Sequence, residues 1–515
     1  MNLIMEKLSR AIFFWILVLI FMVSAPAVVF YARGYRFDFS RGVFVHSGTI
    51  SIKSNPQDIQ VIINGKIADS KALNHINNSY NISGLMPDIY DISVSADGYQ
   101  TWNKKSNVHS GLASEFWNVT LARNNYAKTE YPTPNIEKFF ISPQSKFLIY
   151  TENNEKNLTA KILDIKDKEV VSTFVFEGWN FISDERKENI EWSPEEDYIS
   201  VPVQKTLEEK INTKTKIAPD SDSEPRYSYF IIDTVKKTSL NLNEILKVED
   251  INYVRWDPKD KNYLFYLSED KLFRANINNT EDIIEIAQDI SSFDLSKTNV
   301  YYSQMPNELV YKAELNGTGN RIQLTSDFPE DITRNFRLIA YDDNRIAFFT
   351  KNKTVYIFND GELDRYFKKL GTDIEGIQFS DDGKKLLYWT KNQISVHYLR
   401  NWNVEPKRSE NTSEDITRYA DEIKNIQWFG DYEHVIFSLG KQLKFVELDP
   451  RDHRNSMDLI QASIENPLAT YNHYLEKLFF IENVSSSSNL NSINFPETLP
   501  FLGIFNNQDQ VSSNN

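Results

Sequence analysis

The sequence predicts an all-β protein carried by one N-terminal transmembrane helix, with a small antiparallel β domain followed by a β-propeller of seven or eight blades. Three observations predict this. Ala11 to Tyr31 is an uncharged apolar run of 21 residues. At Gly48 the apolar pattern changes to a period of two. Beyond Arg123 an aromatic strand, a polar turn and a second apolar strand recur about every 47 residues, the length of one four-stranded blade.

The apolar run, AIFFWILVLIFMVSAPAVVFY, is interrupted only by Ser24 and Pro26. As a helix it spans about 31 Å, which matches a bilayer's hydrocarbon core. Lys7 and Arg10 precede it, Trp15 and Tyr31 suit the two interfaces, and Arg33, Arg36 and Arg41 follow. A cleaved secretory signal would use Ala25-Pro26-Ala27 as its cutting site. The apolar run continues past that point, so an uncleaved signal anchor is the expectation, with the bulk of the chain outside the cytoplasmic membrane. Residues 1–34 are then cytoplasmic N-terminus and anchor, and 35–47 a linker in which Gly34 and Gly42 break the helix.

Composition sets further bounds. At 515 residues the chain is too long for one core. It has no cysteine, so disulfides and thiolate–metal chemistry are excluded. A net charge of −15 and a pI near 5.1 argue against nucleic acid as a partner. Aromatics at 13% with only 17 glycines indicate strands packing large side chains rather than a low-complexity stalk. The N-x-S/T triplets at Asn81 and Asn118 carry little weight in an asparagine-rich chain.

From Gly48 the segment Thr49 to Lys53 alternates, Pro56 breaks it, and Ile59 to Ile63 runs as a strand into the turn Asn64-Gly65. Met86-Pro87-Asp88 precedes the strand Ile89 to Val94 and the turn Asp97-Gly98, and a last strand lies near Glu115 to Leu121. The succession Gly48-Thr49-Ile50, Ser54-Asn55-Pro56, Val61 to Lys66, Gly84-Leu85-Met86-Pro87, Tyr90 to Val94 and Asp97 to Trp102 resembles the PEGA domain. Pro56-Gln57-Asp58-Ile59 stands where that family has its naming tetrapeptide, and Asp88 stands for the glycine after the second proline. The resemblance implies a small β-sandwich over 48–123, of a kind found on microbial surface proteins. The link Tyr31 to Asp38, rich in Arg and Tyr, is similar to that of membrane-anchored bacterial members.

Over 124–505 eight blade openings are visible. They lie at Phe140-Ile141-Ser142-Pro143, Trp192-Ser193-Pro194, Trp256-Asp257-Pro258, Phe293 to Ser296, Tyr341 to Asn344, Phe379 to Gly383, Trp428 to Asp431, and Tyr471. The S/D-P/D-D-G unit, clearest at Ser380 to Gly383, resembles TolB-like and WD-type propellers, and the TolB-like comparison is the better one because no Gly-His or Trp-Asp dipeptide appears at its WD position. Later strands are legible in four copies, at Ser228 to Asp233, Leu272 to Asn276, Leu309 to Ala313 and Leu443 to Glu447, but not in the last copy. Residues 506–515 are polar and are expected to form a disordered tail. The propeller is expected to share few contacts with the segment before Arg123.

Two inserts, Lys205 to Arg226 and Glu405 to Asp421, are expected to be solvated loops. Asp220 to Glu224 alternates carboxylates but lacks the glycine and the bidentate glutamate of a calcium loop. The histidines 46, 75, 109, 397, 434, 453 and 473 are scattered without metal-ligand spacing. Asp342-Asp343 and Asp381-Asp382 fall where blade turns belong. Trp102 and Trp117 invite comparison with glycan-stacking platforms, but core packing is the expected role of each. Trp192, Trp256 and Trp428 are expected to be buried between blades.

No catalytic, cofactor-binding or metal residue is therefore assigned, and no cofactor is expected. The expected function is non-catalytic. The chain would be an anchored binding or scaffolding protein of the cell envelope, engaging a protein or surface polymer through both extracytoplasmic domains. The alternative is an enzyme acting on an envelope glycan or peptide at the propeller's central face.

Overall fold

The computed structural model describes residues 2–496 other than 40, 69–72, 75–78, 155–156, 183–189, 207–226, 327, 330–331, 333–335 and 485–486. The Asp220 to Glu224 stretch, His75 and the C-terminal tail lie outside the described residues. Among the described residues, the protein is all-β apart from the N-terminal helix and one short helix, Leu242–Leu246.

Helix α1 (Asn2–Ala32) contains a stretch of 23 residues, Arg10–Ala32, whose most apolar 18-residue window has mean hydropathy 2.7 and no buried residue; it is long and apolar enough to cross a membrane. The helix ends where Gly34 takes φ +86, and the Tyr31 carbonyl accepts from Gly34 N and from Arg36 Nη1, each at 3.0 Å. Residues 35–47 are not a plain linker. They form a hairpin of β1 (Tyr35–Asp38) and β2 (Val43–His46), because alternating aromatic and polar residues flank the turn at Gly42.

The next segment is two four-stranded sheets. One has the order β10 (Ala113–Thr120), β3 (Gly48–Asn55), β7 (Ser79–Leu85), β6 (Leu73–Asn74). The other runs β5 (Lys66–Ile67), β4 (Gln60–Ile63), β8 (Ile89–Ser95), β9 (Trp102–Asn107). The expectation of a purely antiparallel domain is corrected, since β10 pairs with β3 in parallel. That pairing is long-range and leaves no turn signature between the partners. Ile50, Ile52, Val61, Ile92, Val94 and Phe116 face each other between the sheets. Asn64 and Gly65, both at positive φ, make the predicted tight turn. Gly48 lies so close to Val108 Cγ1 that a Cβ there would sit 2.4 Å away.

Beyond it, eight sheets follow one another along the chain. Seven open on one of the predicted strands, Lys138–Ile141, Tyr253–Trp256, Ile290–Leu295, Phe336–Asp342, Gly376–Phe379, Ile423–Trp428 and Ala469–Asn472, and in the second sheet the predicted strand Glu191–Trp192 shares its partner Tyr198–Lys205 with an earlier strand, Trp179–Phe181. The last sheet does have its later strands, Lys477–Val484 and Ser487–Asn494, and takes its fourth from β11 (Thr129–Glu130) at the other end of the chain. This joins the last sheet to the start of the repeat and closes the ring, the propeller arrangement, which leaves only short outer edges. Neighbouring sheets are joined at their opening strands. Trp256 Nε1 donates to Glu191 O at 3.0 Å, Trp428 Nε1 to Gln378 O at 3.1 Å, and Gln427 Nε2 to Ala469 O at 3.1 Å. Trp192, Trp256 and Trp428 are buried as expected.

The insert Glu405 to Asp421 is not a solvated loop. It holds the outer strand Ser413–Arg418 of its sheet, and Arg408 within it is buried against Glu414 at 2.6 Å. The expectation of few contacts between sandwich and propeller is also overturned. Both contribute to a single hydrophobic cluster in which Trp102, Phe116, Leu121 and Ala122 share neighbours with Phe445, Met457 and Leu459. Lys104 Nζ sits 2.8 Å from Glu447 Oε1 with almost no surface exposed, and Trp102 Nε1 donates to Glu447 Oε2 at 2.8 Å. Sequence patterns do not report such a junction, because each half alternates as an ordinary strand would.

Candidate functional site

Two concave places stand out. The first is a cavity of about 310 Å3 lined mainly by opening strands, through Phe140, Glu191, Tyr253, Arg255, Asp294 and Arg337 among others. Successive side chains on a strand point to opposite faces of its sheet, so Glu191, Arg255 and Asp294 point away from the faces taken by their buried neighbours Trp192, Trp256 and Phe293. Arg255 Nε donates to Glu191 Oε1 at 3.0 Å, and its Nη1 pairs closely with Asp294. Burial opposes the guanidinium's charge, but the carboxylates of Glu191 and Asp294 outweigh it and keep Arg255 protonated. Burial pushes the Glu191 carboxyl up, partly offset by Arg255 and by the Trp256 N–H. Asp294 Oδ2 also accepts from Ala340 N at 2.9 Å, so it ties its strand to the next. The cavity thus offers one carboxyl with a raised pKa, beside a fixed cation.

The second is an open groove of about 590 Å3 at the seam between sandwich and propeller, lined by Ala113, Glu115, Trp117, Asn403, Val404, Glu405 and Lys407. Strand β10, an edge of its sheet, supplies one wall, and residues 403–407, at the start of the insert that carries the outer strand Ser413–Arg418, supply the other. Trp117 is half-buried, its Nε1 held by Glu115 Oε2 at 2.8 Å, and its ring lines the groove. Arg451 secures the floor, donating to Glu115 O at 2.7 Å with its guanidinium 3.9 Å above the Phe116 ring.

The residues weighed from sequence fall as follows. Trp102 is buried at the junction and is no ligand platform. Trp117 reaches the groove. Asp342 and Asp343 lie in and just beyond the end of the strand Phe336–Asp342, where Asp343 accepts from Tyr301 Oη at 2.7 Å and pairs with Lys312. Asp382 accepts from Ser380 Oγ at 2.6 Å and Lys384 N at 3.0 Å, as a turn residue does. Among the described residues, no group of three or more His, Asp or Glu is placed to hold a metal ion. The sequence reading passed over Glu191, Arg255 and Asp294. Their signal was available as charged residues adjoining the aromatic blade markers.

His397 is a buried structural group. Its Nε2 lies 3.0 Å from Tyr366 Oη and its Nδ1 2.8 Å from Ser413 Oγ. Burial, helped by Lys368, lowers its pKa to about 3. The unfolded chain therefore binds a proton below about pH 6.5 that the folded chain refuses. This stability is intact above that value and is lost as pH falls toward the folded pKa, at up to about 1.4 kcal/mol per pH unit. Denaturation midpoints measured from pH 7 to pH 4.5 should fall less steeply for His397→Gln than for the parent.

No family model and no curated protein matches the chain. Solved structures similar to it include the β-propeller domain of Cps50 (Swd1) from Myceliophteria thermophila, 11% identical, covering 72% of this chain and 99% of that one at a TM-score of 0.41. The Dos1 propeller is 12% identical over 71% and 94%, at 0.42. An oligogalacturonate lyase in complex with manganese is 10% identical over 72% and 98%, at 0.36. These likenesses are too distant to inform function, and it is the chain's own sheet order and ring closure that make it a β-propeller protein with an apolar N-terminal helix.

Proposed function

We propose that the chain is a non-catalytic, membrane-anchored binding or scaffolding protein of the cell envelope. Its PEGA-like sandwich and TolB-like propeller together would engage an envelope protein or surface polymer outside the cytoplasmic membrane. The observation that carries this reading is the seam groove, framed by two domains locked together through Lys104, Glu447 and a shared core. Clefts at domain junctions are common ligand sites, and a half-buried tryptophan flanked by carboxylates and an amide suits a polymer or peptide. A long portion after an N-terminal anchor translocates largely regardless of flanking charge, which supports the outward placement.

The second reading is an enzyme acting on an envelope glycan or peptide at the central cavity. It is favoured by the raised pKa of Glu191 beside Arg255. Crosslinking in intact cells, followed by identification of what is captured, separates the two. Trp117→Ala should reduce capture several-fold with an unchanged melting temperature, while Glu191→Gln should leave capture as it is. Capture that depends on Glu191 and not on Trp117 would favour the enzyme.

A further inference from the structure

The hairpin between the helix and the sandwich presents a surface that an aqueous setting does not account for. The register Tyr35↔His46 and Phe37↔Phe44 puts Tyr35, Phe37 and Phe44 on one face. Phe44 stacks on Phe30 of the helix at 5.7 Å between ring centroids, Phe30 meets Tyr35 edge-on at 5.6 Å, and Phe37 meets Phe44 at 5.1 Å and Phe39 at 5.0 Å. Despite these contacts Phe37, Phe44 and Phe39 remain 39%, 59% and 90% exposed. This aromatic patch continues into Phe30, in the last turn of the apolar helix.

The hairpin is also not a free tether. Ser47 donates to Gly34 O through its N–H at 2.8 Å and its hydroxyl at 2.7 Å, so the strand that returns is tied to the point where the helix ends. One residue later β3 begins, so the orientation of the hairpin is passed to the sandwich. Around the patch, Arg33 is exposed, and Arg41 has an exposed side chain that approaches Asp38 at 3.6 Å.

We propose that this hairpin lies in the lipid–water interface of the leaflet from which the helix emerges. Its aromatic face meets phospholipid, and Arg33 and Arg41 meet the phosphate groups. The inference rests on the reading of the helix as membrane-spanning and goes beyond it. Aromatic side chains favour this depth of the bilayer, and burying apolar area there adds binding free energy to that of the span. Guanidinium groups pair readily with phosphate oxygens. Continuity with the lipid-facing helix selects lipid over a second protein as the occupant, since a protein covering Phe39 would also have to displace lipid from Phe30. The hairpin would then hold the sandwich close to the membrane at a set orientation.

The absence of cysteine makes the test direct. The full chain carrying Phe39→Cys is labelled with a nitroxide and reconstituted into vesicles of phosphatidylcholine and phosphatidylglycerol. Accessibility to oxygen and to a water-soluble nickel complex is then compared with labels at Phe21→Cys in the helix and Tyr474→Cys on the propeller. The expected result is a label at Phe39 that is reached by oxygen and several-fold less by nickel than the label at Tyr474, at a depth shallower than Phe21. A Phe39 label as nickel-accessible as Tyr474, with Phe21 in lipid, overturns the inference and leaves the spanning helix intact. Nickel reaching Phe21 overturns both. A Phe39 label shielded from both reagents means that protein, or a second copy, covers the patch, and likewise overturns the inference.

Discussion

Glu447→Ala is expected to lower the stability of the protein by about 3–5 kcal/mol, the usual cost of stripping one partner from a buried ion pair. Glu447 accepts from Trp102 Nε1 at 2.8 Å and from Asn455 N and Nδ2 at 2.7 and 2.8 Å, besides pairing with Lys104. Its removal strands an ammonium with almost no solvent contact, along with three neutral donors. Lys104→Met should cost less. The Glu447 carboxylate then keeps those three donors, and only the backbone carbonyls of Asp449 and His453 lose theirs. Combining Lys104→Met with Glu447→Leu should recover part of the loss, because a junction without charge has no desolvation cost to offset. Equilibrium denaturation of the three variants measures the order. If Glu447→Ala proves no worse than about 1 kcal/mol, the junction is solvated and the two domains are only loosely joined.

The second large effect concerns the tryptophans on the opening strands. Trp192→Ala, Trp256→Ala and Trp428→Ala should each cost about 3–5 kcal/mol, since each removes a large side chain buried between sheets. A finer comparison follows from the hydrogen bonds. Trp256 and Trp428 donate their Nε1 to a carbonyl of the preceding sheet, whereas Trp192 Nε1 has no partner among the described residues. Replacement by Phe should therefore cost about 1 kcal/mol more at 256 and 428 than at 192. Melting curves read both effects. Alanine variants as stable as the parent would show the tryptophans to be surface residues.

The propeller was legible because its signal is local. Each opening strand carries an aromatic beside a polar turn, so all eight openings identified from sequence lie on or at the ends of observed strands. What escaped is set by partners far away in the chain. Ser487–Asn494 is polar enough to pass for loop; it is held as a strand by the adjacent Lys477–Val484 and, on its other side, by β11 about 360 residues earlier. Ser413–Arg418 was concealed by the charges around it, although its Ile416 is buried. The parallel pairing of β10 with β3 needs no turn between them, and so leaves none to read. The sites divide in the same way. Trp117 could be singled out as an aromatic candidate, but the groove it lines needs Val404 and Lys407 from the propeller. Glu191, Arg255 and Asp294 become a cluster only when three consecutive sheets pack side by side, though each adjoins an aromatic blade marker.

Sandwich and propeller share a core and the Lys104–Glu447 pair, and the proposed binding groove lies at their seam. The most direct test is a distance distribution between two nitroxide labels, placed by Ile67→Cys on the sandwich and Val235→Cys on the propeller, both exposed positions in a chain without native cysteine. Pulsed electron resonance on the membrane-reconstituted protein should give one narrow distribution, and Glu447→Ala should broaden it. A broad or bimodal distribution in the parent protein would mean that the two domains move independently and that the groove between them is not a preformed site.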